Sequence, residues 1–225
     1  MGYLGDEGGG SRVESMTRSI LVLPGGGYSG LAPHEGEPVA EWLRGLGWDA
    51  RVVEYPVKTR HPGPLNAVRR ELSAERAAGA TQIGLLGFSA GGHLAGHAAL
   101  ALPPEERPDF AVLCYPVVSM VTPTHGGSRA QLIGTRAWPW VRRSVSLELL
   151  VTPASPPMFV WSTTDDASVP IDQHTYPLGA ALARHGVDHD LHVFDNGGAH
   201  GMGLGPGTTT GAAWTRLAEE WLAKR

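Results

Sequence analysis

Apolar residues follow two patterns along this chain: short continuous runs, and longer stretches with apolar positions three or four residues apart. The runs predict buried β-strands, and the spaced stretches predict helices with one apolar face. The expected strands are 19–23, 49–57, 83–86, 110–118, 158–161 and 190–194; the expected helices are 37–46, 64–78, the segment after residue 89, 139–143, 176–185 and 209–224. This alternation predicts an α/β fold with a mostly parallel sheet of about six strands and helices on both faces, because parallel strands need crossover connections.

Two segments depart from this regular alternation. Residues 1–18 combine glycines with polar residues and offer little apolar surface to bury, so we expect a flexible N-terminal tail there. Residues 19–225 are long enough to form one domain with a full core. Within that domain the pattern is interrupted at about 121–157, which we interpret as a surface insertion rather than a large cap domain.

Composition narrows the classes of partner and compartment. The 225 residues include 18 lysines and arginines against 22 aspartates and glutamates, a net charge of −4. With no basic stripe for nucleic acid and no polybasic patch or long apolar span for a membrane, the expected partner is a small molecule. A single cysteine, Cys114 in an apolar run, allows no intrachain disulfide, and no signal-peptide pattern precedes the first strand. These features predict a cytoplasmic protein and leave a homo-oligomer open.

The segment Gly87-Phe88-Ser89-Ala90-Gly91-Gly92 carries the most specific chemical signal. It contains Gly-x-Ser-x-Gly between a predicted strand and a predicted helix, the pattern of a tight turn that exposes a nucleophilic serine hydroxyl. Small residues are needed there because the strand and helix backbones pass close together. An ordinary glycine-rich turn is the alternative, and the other strand ends help to decide between the two.

Ligands of parallel α/β sheets bind beyond the carboxyl ends of the strands, so the residues that follow each strand matter. After the Ser89 strand, a later strand ends in Asp165-Asp166 and the last one ends in a glycine-rich loop that carries His200. Serine, acid and histidine in this order match the α/β-hydrolase triad, in which histidine takes the serine proton and the carboxylate holds the histidine. We favour Asp166 as the acid, with Asp165 as a turn cap; that both carboxylates merely cap loops is the alternative.

The first predicted strand runs into Pro24-Gly25-Gly26-Gly27-Tyr28. We expect backbone N–H groups of Gly26 or Gly27, together with that of Ala90, to form an oxyanion hole for the charge that develops during acyl transfer. A phosphate-binding loop is disfavoured because neither the dinucleotide fingerprint nor a Gly-Lys-Ser/Thr motif is present. His93 and His97 lie one helical turn apart without a third ligand pattern, which indicates helix packing; we expect no metal and no organic cofactor.

Several motifs together resemble those of bacterial α/β-hydrolase esterases, the acetyl esterases and acetylxylan esterases. They are Pro-Gly-Gly-Gly-Tyr at 24–28, His-Glu-Gly-Glu-Pro-Val-Ala at 34–40, Tyr-Pro-Val at 55–57, Gly-Phe-Ser-Ala-Gly-Gly-His-Leu-Ala at 87–95, Asp-Asp-x-x-Val-Pro at 165–170 and His-Gly-Met-Gly-Leu at 200–204. The resemblance implies carboxylesterase activity on short acyl groups, with Ser89, Asp166 and His200 as the triad. Pro24 stands where esterases similar to hormone-sensitive lipase carry a histidine, which argues against that branch.

We expect a small acyl pocket and therefore preference for acetyl esters, including acetylated sugars or xylo-oligosaccharides. Tyr28 and Phe88 are its expected walls, and Trp138 and Trp140 are candidates either for contact with a sugar or for hydrophobic anchoring of the insertion. Two other functions remain open at this stage. One is a serine peptidase of the acylaminoacyl or dipeptidyl type, and the other is a non-catalytic binding module with the same fold.

Overall fold

The fold is built on a parallel sheet of six strands. In a computed structural model that describes residues 17–122, 125–195 and 200–225, the strand order is β2-β1-β3-β4-β5-β6. The strands are β1 (Thr17–Leu23), β2 (Asp49–Val52), β3 (Ala80–Phe88), β4 (Phe110–Cys114), β5 (Met158–Thr163) and β6 (His189–Phe194). All neighbouring pairs are parallel, so the predicted α/β sheet is confirmed. The order changes direction between β1 and β3, the point at which such sheets bind ligands.

Helices cover both faces of the sheet, and each face has its own apolar core. The helices are α1 (Glu37–Gly45), α2 (Gly63–Ala77), α3 (Ser89–Ala101), α4 (Gly126–Leu132), α5 (Pro139–Ser144), α6 (Thr175–Arg184) and α7 (Thr209–Leu222). Successive side chains of a strand point to opposite faces. Leu21 and Leu23 of β1 therefore pack in one core with α2, α3 and α6, whereas Ile20 and Val22 pack in the other core with α1 and α7.

Element boundaries differ from the prediction where apolar runs continue beyond the sheet. β1 begins at Thr17, two residues before the predicted start of the domain, and residues 1–16 of the predicted tail lie outside the described residues. β2 ends at Val52 and β4 at Cys114, five and four residues before their predicted ends. The reason is that buried apolar side chains continue into the following loops, as Val117 does after β4.

The predicted insertion contains more helix than its sequence indicates. The short helix expected at 139–143 is present as α5, but α4 was not predicted, because a segment that begins with two glycines has low helix propensity. The side chain of His125 caps α4 by accepting a hydrogen bond from the Ser128 amide. Within the described ranges, no helix combines the length and the apolar character needed to cross a membrane.

Candidate active site

Ser89 lies at the turn between β3 and α3, beside the point where the strand order changes direction. Its backbone φ is +51°, a left-handed conformation that is uncommon outside glycine. The turn is tight enough that a Cβ atom on Gly91 would lie 2.1 Å from the Leu23 carbonyl oxygen, so only glycine fits there. This geometry presents the Ser89 hydroxyl at the carboxyl edge of the sheet, as the Gly-x-Ser-x-Gly pattern predicts.

Ser89, His200 and Asp166 form a continuous line of hydrogen bonds. His200 Nε2 lies 2.7 Å from Ser89 Oγ, and His200 Nδ1 lies 2.6 Å from Asp166 Oδ2. An ionised carboxylate only accepts hydrogen bonds, so the His200 Nδ1–H donates to Asp166 and Nε2 accepts from the Ser89 hydroxyl. A neutral imidazole held in this way is placed to take the serine proton.

The two neighbouring aspartates have different surroundings. Asp166 is buried, and its Oδ1 accepts hydrogen bonds of 2.9 Å from the backbone amides of Ser168 and Val169. Burial alone would raise the pKa of Asp166, but the hydrogen bond from His200 and those from the two amides outweigh it and lower this pKa. Asp165 is exposed to solvent. The arrangement favours Asp166 as the partner of His200.

The glycine-rich loop after β1 contacts the Ser89 turn directly. A Cβ atom on Gly25 would lie 3.1 Å from Ser89 Cβ. Gly26 has a backbone φ of +128°, which residues other than glycine rarely adopt. The Gly25 amide donates to a carboxylate, whereas the Gly26 and Gly27 amides donate to no partner among the described residues. The Ala90 amide lies in the first turn of α3, where N–H groups have no partner within the helix. These three amides are therefore donors without a helix or sheet partner; Gly26 and Gly27 follow Gly25, which contacts Ser89, and Ala90 directly follows the serine.

Two residues at the site had no role in the sequence-based prediction, Glu35 and Tyr115. Glu35 lies in a short 3₁₀ helix at Pro33–Glu35, and Tyr115 directly follows β4. The Tyr115 hydroxyl donates to Glu35 Oε1 over 2.6 Å, and its ring lies 5.0 Å from the His200 ring. Glu35 lies in the 34–40 motif and Tyr115 in the strand predicted at 110–118, but neither position indicates that the two side chains bond to each other.

His125 is a third residue at the site to which the sequence assigned no role. Its Nδ1 lies 2.9 Å from Ser128 Oγ and 3.3 Å from the Ser128 amide nitrogen. Burial lowers the pKa of His125, and His200 lowers it further, although Asp166 acts in the opposite direction. A Cβ atom on Gly27 would lie 3.6 Å from His125 Cε1, so His125 stands beside the glycine-rich loop.

The expected pocket walls, Tyr28 and Phe88, are both completely buried. The Tyr28 hydroxyl lies 2.7 Å from His93 Nδ1, and Phe88 packs against Tyr115 and Trp214 in the opposite core. Neither side chain has exposed surface from which it could contact a substrate. The prediction that these two side chains wall an acyl pocket is therefore wrong, since both point into the protein.

Trp138 and Trp140 lie on the surface of the insertion. Their side chains are 64% and 63% exposed, and their rings stack on each other at a centroid distance of 4.9 Å. Anchoring residues would be buried, so the alternative in which the pair anchors the insertion is not supported. Their contact with a sugar stays a prediction.

The histidines of α3 are packed as the sequence indicated. His93 Nε2 lies 2.7 Å from the Val145 carbonyl oxygen and His97 Nε2 lies 3.2 Å from that of Ser144, which joins α3 to the insertion. Burial is the main cause that lowers the pKa of His93 to about 4 and that of His97 to about 3. Among the residues that the structure describes, no group of three or more histidine, cysteine, aspartate or glutamate side chains could hold a metal ion.

Comparisons with known proteins find similar chains. Over 205 residues the chain is 31% identical to an endo-1,4-beta-xylanase B from Butyrivibrio fibrisolvens, and over 200 residues it is 31% identical to an acetylxylan esterase from Xylanibacter ruminicola. These matches cover 81% and 84% of this chain, but the chain spans only 32% and 42% of the length of the two relatives.

One solved structure matches this chain over a larger share of its own length than the two relatives do. It is an acetyl ester-xyloside bifunctional hydrolase from Caldicellulosiruptor lactoaceticus, with a TM-score of 0.88 and 38% identity over 94% of this chain and 84% of that chain. In addition, a family model for the α/β-hydrolase fold matches residues 40–202, the greater part of the chain. The chain therefore belongs to the α/β-hydrolase fold family.

Proposed function

We propose that the chain is a serine carboxylesterase that hydrolyses short acyl esters, above all acetyl esters. The observation that carries this proposal is the line of hydrogen bonds from Ser89 through His200 to Asp166, with distances of 2.7 Å and 2.6 Å. Ser89 is the nucleophile, His200 is the general base and acid, and Asp166 holds the His200 tautomer and stabilises the imidazolium.

The reaction proceeds in two halves. Ser89 Oγ attacks the ester carbonyl carbon while its proton passes to His200 Nε2, and His200 then returns that proton to the departing alcohol. An acyl group remains bonded to Ser89 until a water molecule, deprotonated by His200, releases the carboxylic acid. Asp166 stays ionised throughout, in agreement with its lowered pKa.

Negative charge develops on the carbonyl oxygen in both halves. The amides of Gly26, Gly27 and Ala90 are the proposed donors to that oxygen, and loss of one such donor typically costs about 3 kcal/mol of transition-state stabilisation. The Gly25 amide is not among them because it already donates to Glu35 over 2.8 Å.

Similarity to the acetylxylan esterase and to the acetyl ester-xyloside hydrolase supports acetyl as the acyl group and an acetylated sugar or xylo-oligosaccharide as the substrate. His125 beside Gly27 narrows the space next to the glycine-rich loop, which agrees with a small acyl group. The exposed rings of Trp138 and Trp140 offer flat apolar surface to the sugar.

A fluorophosphonate probe and a set of p-nitrophenyl esters test this proposal. The probe should label the wild-type protein but not Ser89→Ala, and this substitution should lower kcat by about 10⁶-fold. The acetyl ester should be hydrolysed faster than the octanoyl ester. Folded wild-type protein that the probe does not label would overturn the serine esterase, whereas faster turnover of the octanoyl ester would overturn only the preference for short acyl groups.

A further inference from the structure

The buried carboxylate of Glu35 connects the two loops that carry the proposed chemistry. Its Oε2 accepts a hydrogen bond of 2.8 Å from the Gly25 amide, in the glycine-rich loop after β1. Its Oε1 accepts one of 2.6 Å from the Tyr115 hydroxyl, and that hydroxyl oxygen accepts one of 2.8 Å from the Gly203 amide, in the loop that carries His200. We define Glu35 and Tyr115 together as the carboxylate bridge.

We propose that the carboxylate bridge positions the oxyanion-hole loop and the His200 loop relative to each other, so that Glu35 and Tyr115 are positioning residues for ester hydrolysis. The inference rests on the proposed function, because it assigns these two residues a role in that reaction. Neither side chain is proposed to touch the substrate. Each acts on the reaction through the backbone that it holds.

Among the described residues, no lysine or arginine pairs with the buried carboxylate of Glu35. Glu35 is 2% exposed, and in the described part of the chain the only basic side chain within 4 Å of its carboxylate is His34, at 3.9 Å. A buried carboxylate is costly unless it is paired or fully hydrogen-bonded. Here the compensating bonds come from Gly25 and Tyr115, so the cost is met only while both partners stay in place.

The backbone of Gly25 connects Glu35 with Ser89. A Cβ atom on Gly25 would lie 2.6 Å from Glu35 Oε2 and 3.1 Å from Ser89 Cβ, so the Gly25 backbone fills the space between Glu35 and the serine. Movement of Glu35 would therefore shift the amides of the next two residues, Gly26 and Gly27. A shift of about 1 Å in a group that stabilises a transition state can cost about 100-fold in rate.

On the His200 side, the contacts are equally direct. The Tyr115 ring lies edge-on to the His200 ring at 5.0 Å, and Tyr115 keeps a φ of +36° that a non-glycine residue adopts only under constraint. His34 adds a second contact, since its Nε2 lies 2.7 Å from the Gly201 carbonyl oxygen and must donate to it. The segment with His34 and Glu35 thus holds the His200 loop at two points.

Three variants test the proposal by steady-state kinetics with p-nitrophenyl acetate. Glu35→Gln keeps the shape but removes one acceptor oxygen and the charge, and Tyr115→Phe removes only the hydroxyl. Each should lower kcat by about 10- to 100-fold and leave KM within about twofold, because the loops act on the transition state rather than on substrate binding. The double variant should lose little more than the worse single variant, since both belong to one connection.

Glu37→Gln is the matched control, because Glu37 lies two residues further along, is exposed and pairs with Arg44 on the surface. It should behave like the wild type.

A boronic acid that forms a tetrahedral adduct with Ser89 provides a second measurement. In Glu35→Gln and Tyr115→Phe its affinity should fall in parallel with kcat, a change that a general loss of stability would not produce. Unchanged kcat in Tyr115→Phe, a loss confined to KM, or additive losses in the double variant would overturn the inference while wild-type esterase activity stands. A wild type that hydrolyses no ester would overturn both proposals.

Discussion

Two largely buried groups of polar residues contact opposite cores of the sheet, and they differ in what they hold. The carboxylate bridge bonds to the glycine-rich loop and to the His200 loop, and its Tyr115 lies in the core that faces α1 and α7. The histidine cluster, His61, His93 and His97, contacts Tyr28, which lies in the core on the other face. The Nε2 atoms of His93 and His97 bond to the insertion, although His93 Nδ1 also bonds to the Tyr28 hydroxyl. Burial alone therefore does not determine the role of these polar residues. The groups to which they bond determine it.

The charge states of the two groups differ as well. The bridge contains a carboxylate, whereas burial lowers the pKa of all three histidines and keeps them neutral near pH 7. Neutral histidines that bond to backbone carbonyls stabilise the packing of α3 against the insertion. We therefore expect the bridge to affect turnover and the histidine cluster to affect stability, and the following predictions test that division.

The largest effect is expected at the site itself and sets the scale for the comparison. Asp166→Asn should lower kcat by about 10⁴-fold, because an amide no longer holds the His200 tautomer that accepts the serine proton. Asp165→Asn is the control and should change kcat little, since Asp165 is exposed and the two ring nitrogens of His200 bond to Asp166 and Ser89. Kinetics with p-nitrophenyl acetate measure both variants, and a larger loss in Asp165→Asn would reverse the assignment of the acid.

A smaller effect, on stability rather than turnover, is expected for His97→Gln. The unfolded chain binds a proton to this histidine below its ordinary pKa of 6.5, but the folded chain does so only at about pH 3. The contribution of neutral His97 to the free energy of unfolding is fully present above pH 6.5 and decreases as the pH falls towards 3. Between pH 7 and pH 5 the wild type should therefore lose about 2 kcal/mol of stability through this group.

Urea unfolding at the two pH values measures this contribution. Glutamine does not titrate and can still donate to the Ser144 carbonyl oxygen, so the variant should lose about 2 kcal/mol less than the wild type over that interval. Its kcat at pH 7 should stay close to that of the wild type. A tenfold or greater loss of kcat would contradict the division, because the histidine cluster would then act on the reaction.

The smallest effect on the fold is expected for Trp138→Ala and Trp140→Ala. Both side chains are mostly exposed, so each substitution should change the free energy of unfolding by less than about 1 kcal/mol. The KM for an acetylated xylo-oligosaccharide should rise several-fold, because a sugar would lose an aromatic face, while the KM for p-nitrophenyl acetate should not change. Equal KM values for the oligosaccharide in variants and wild type would remove the pair from the proposed substrate site.

The sequence predicts the sheet and the three hydrogen-bonded side chains for a physical reason. Ser89, Asp166 and His200 each follow a strand, and the carboxyl ends of parallel strands meet at one edge whatever the loops do. Glu35 and His125 were not predicted, because their contacts depend on how one loop packs against another, which has no periodicity. Tyr28 was misassigned because a position next to functional residues in sequence does not determine where its side chain points.

Of the four non-glycine residues with left-handed backbone among the described residues, three lie close to the proposed site: Tyr28 in the glycine-rich loop, Ser89 directly after β3 and Tyr115 directly after β4, with φ of +59°, +51° and +36°. Each such conformation costs about 1 to 3 kcal/mol. The fold thus gives up stability at the edge where the reaction is proposed to occur. Directed evolution for heat resistance alone, without an activity screen, should therefore relax these three positions early, and its products should lose turnover long before they lose the sheet.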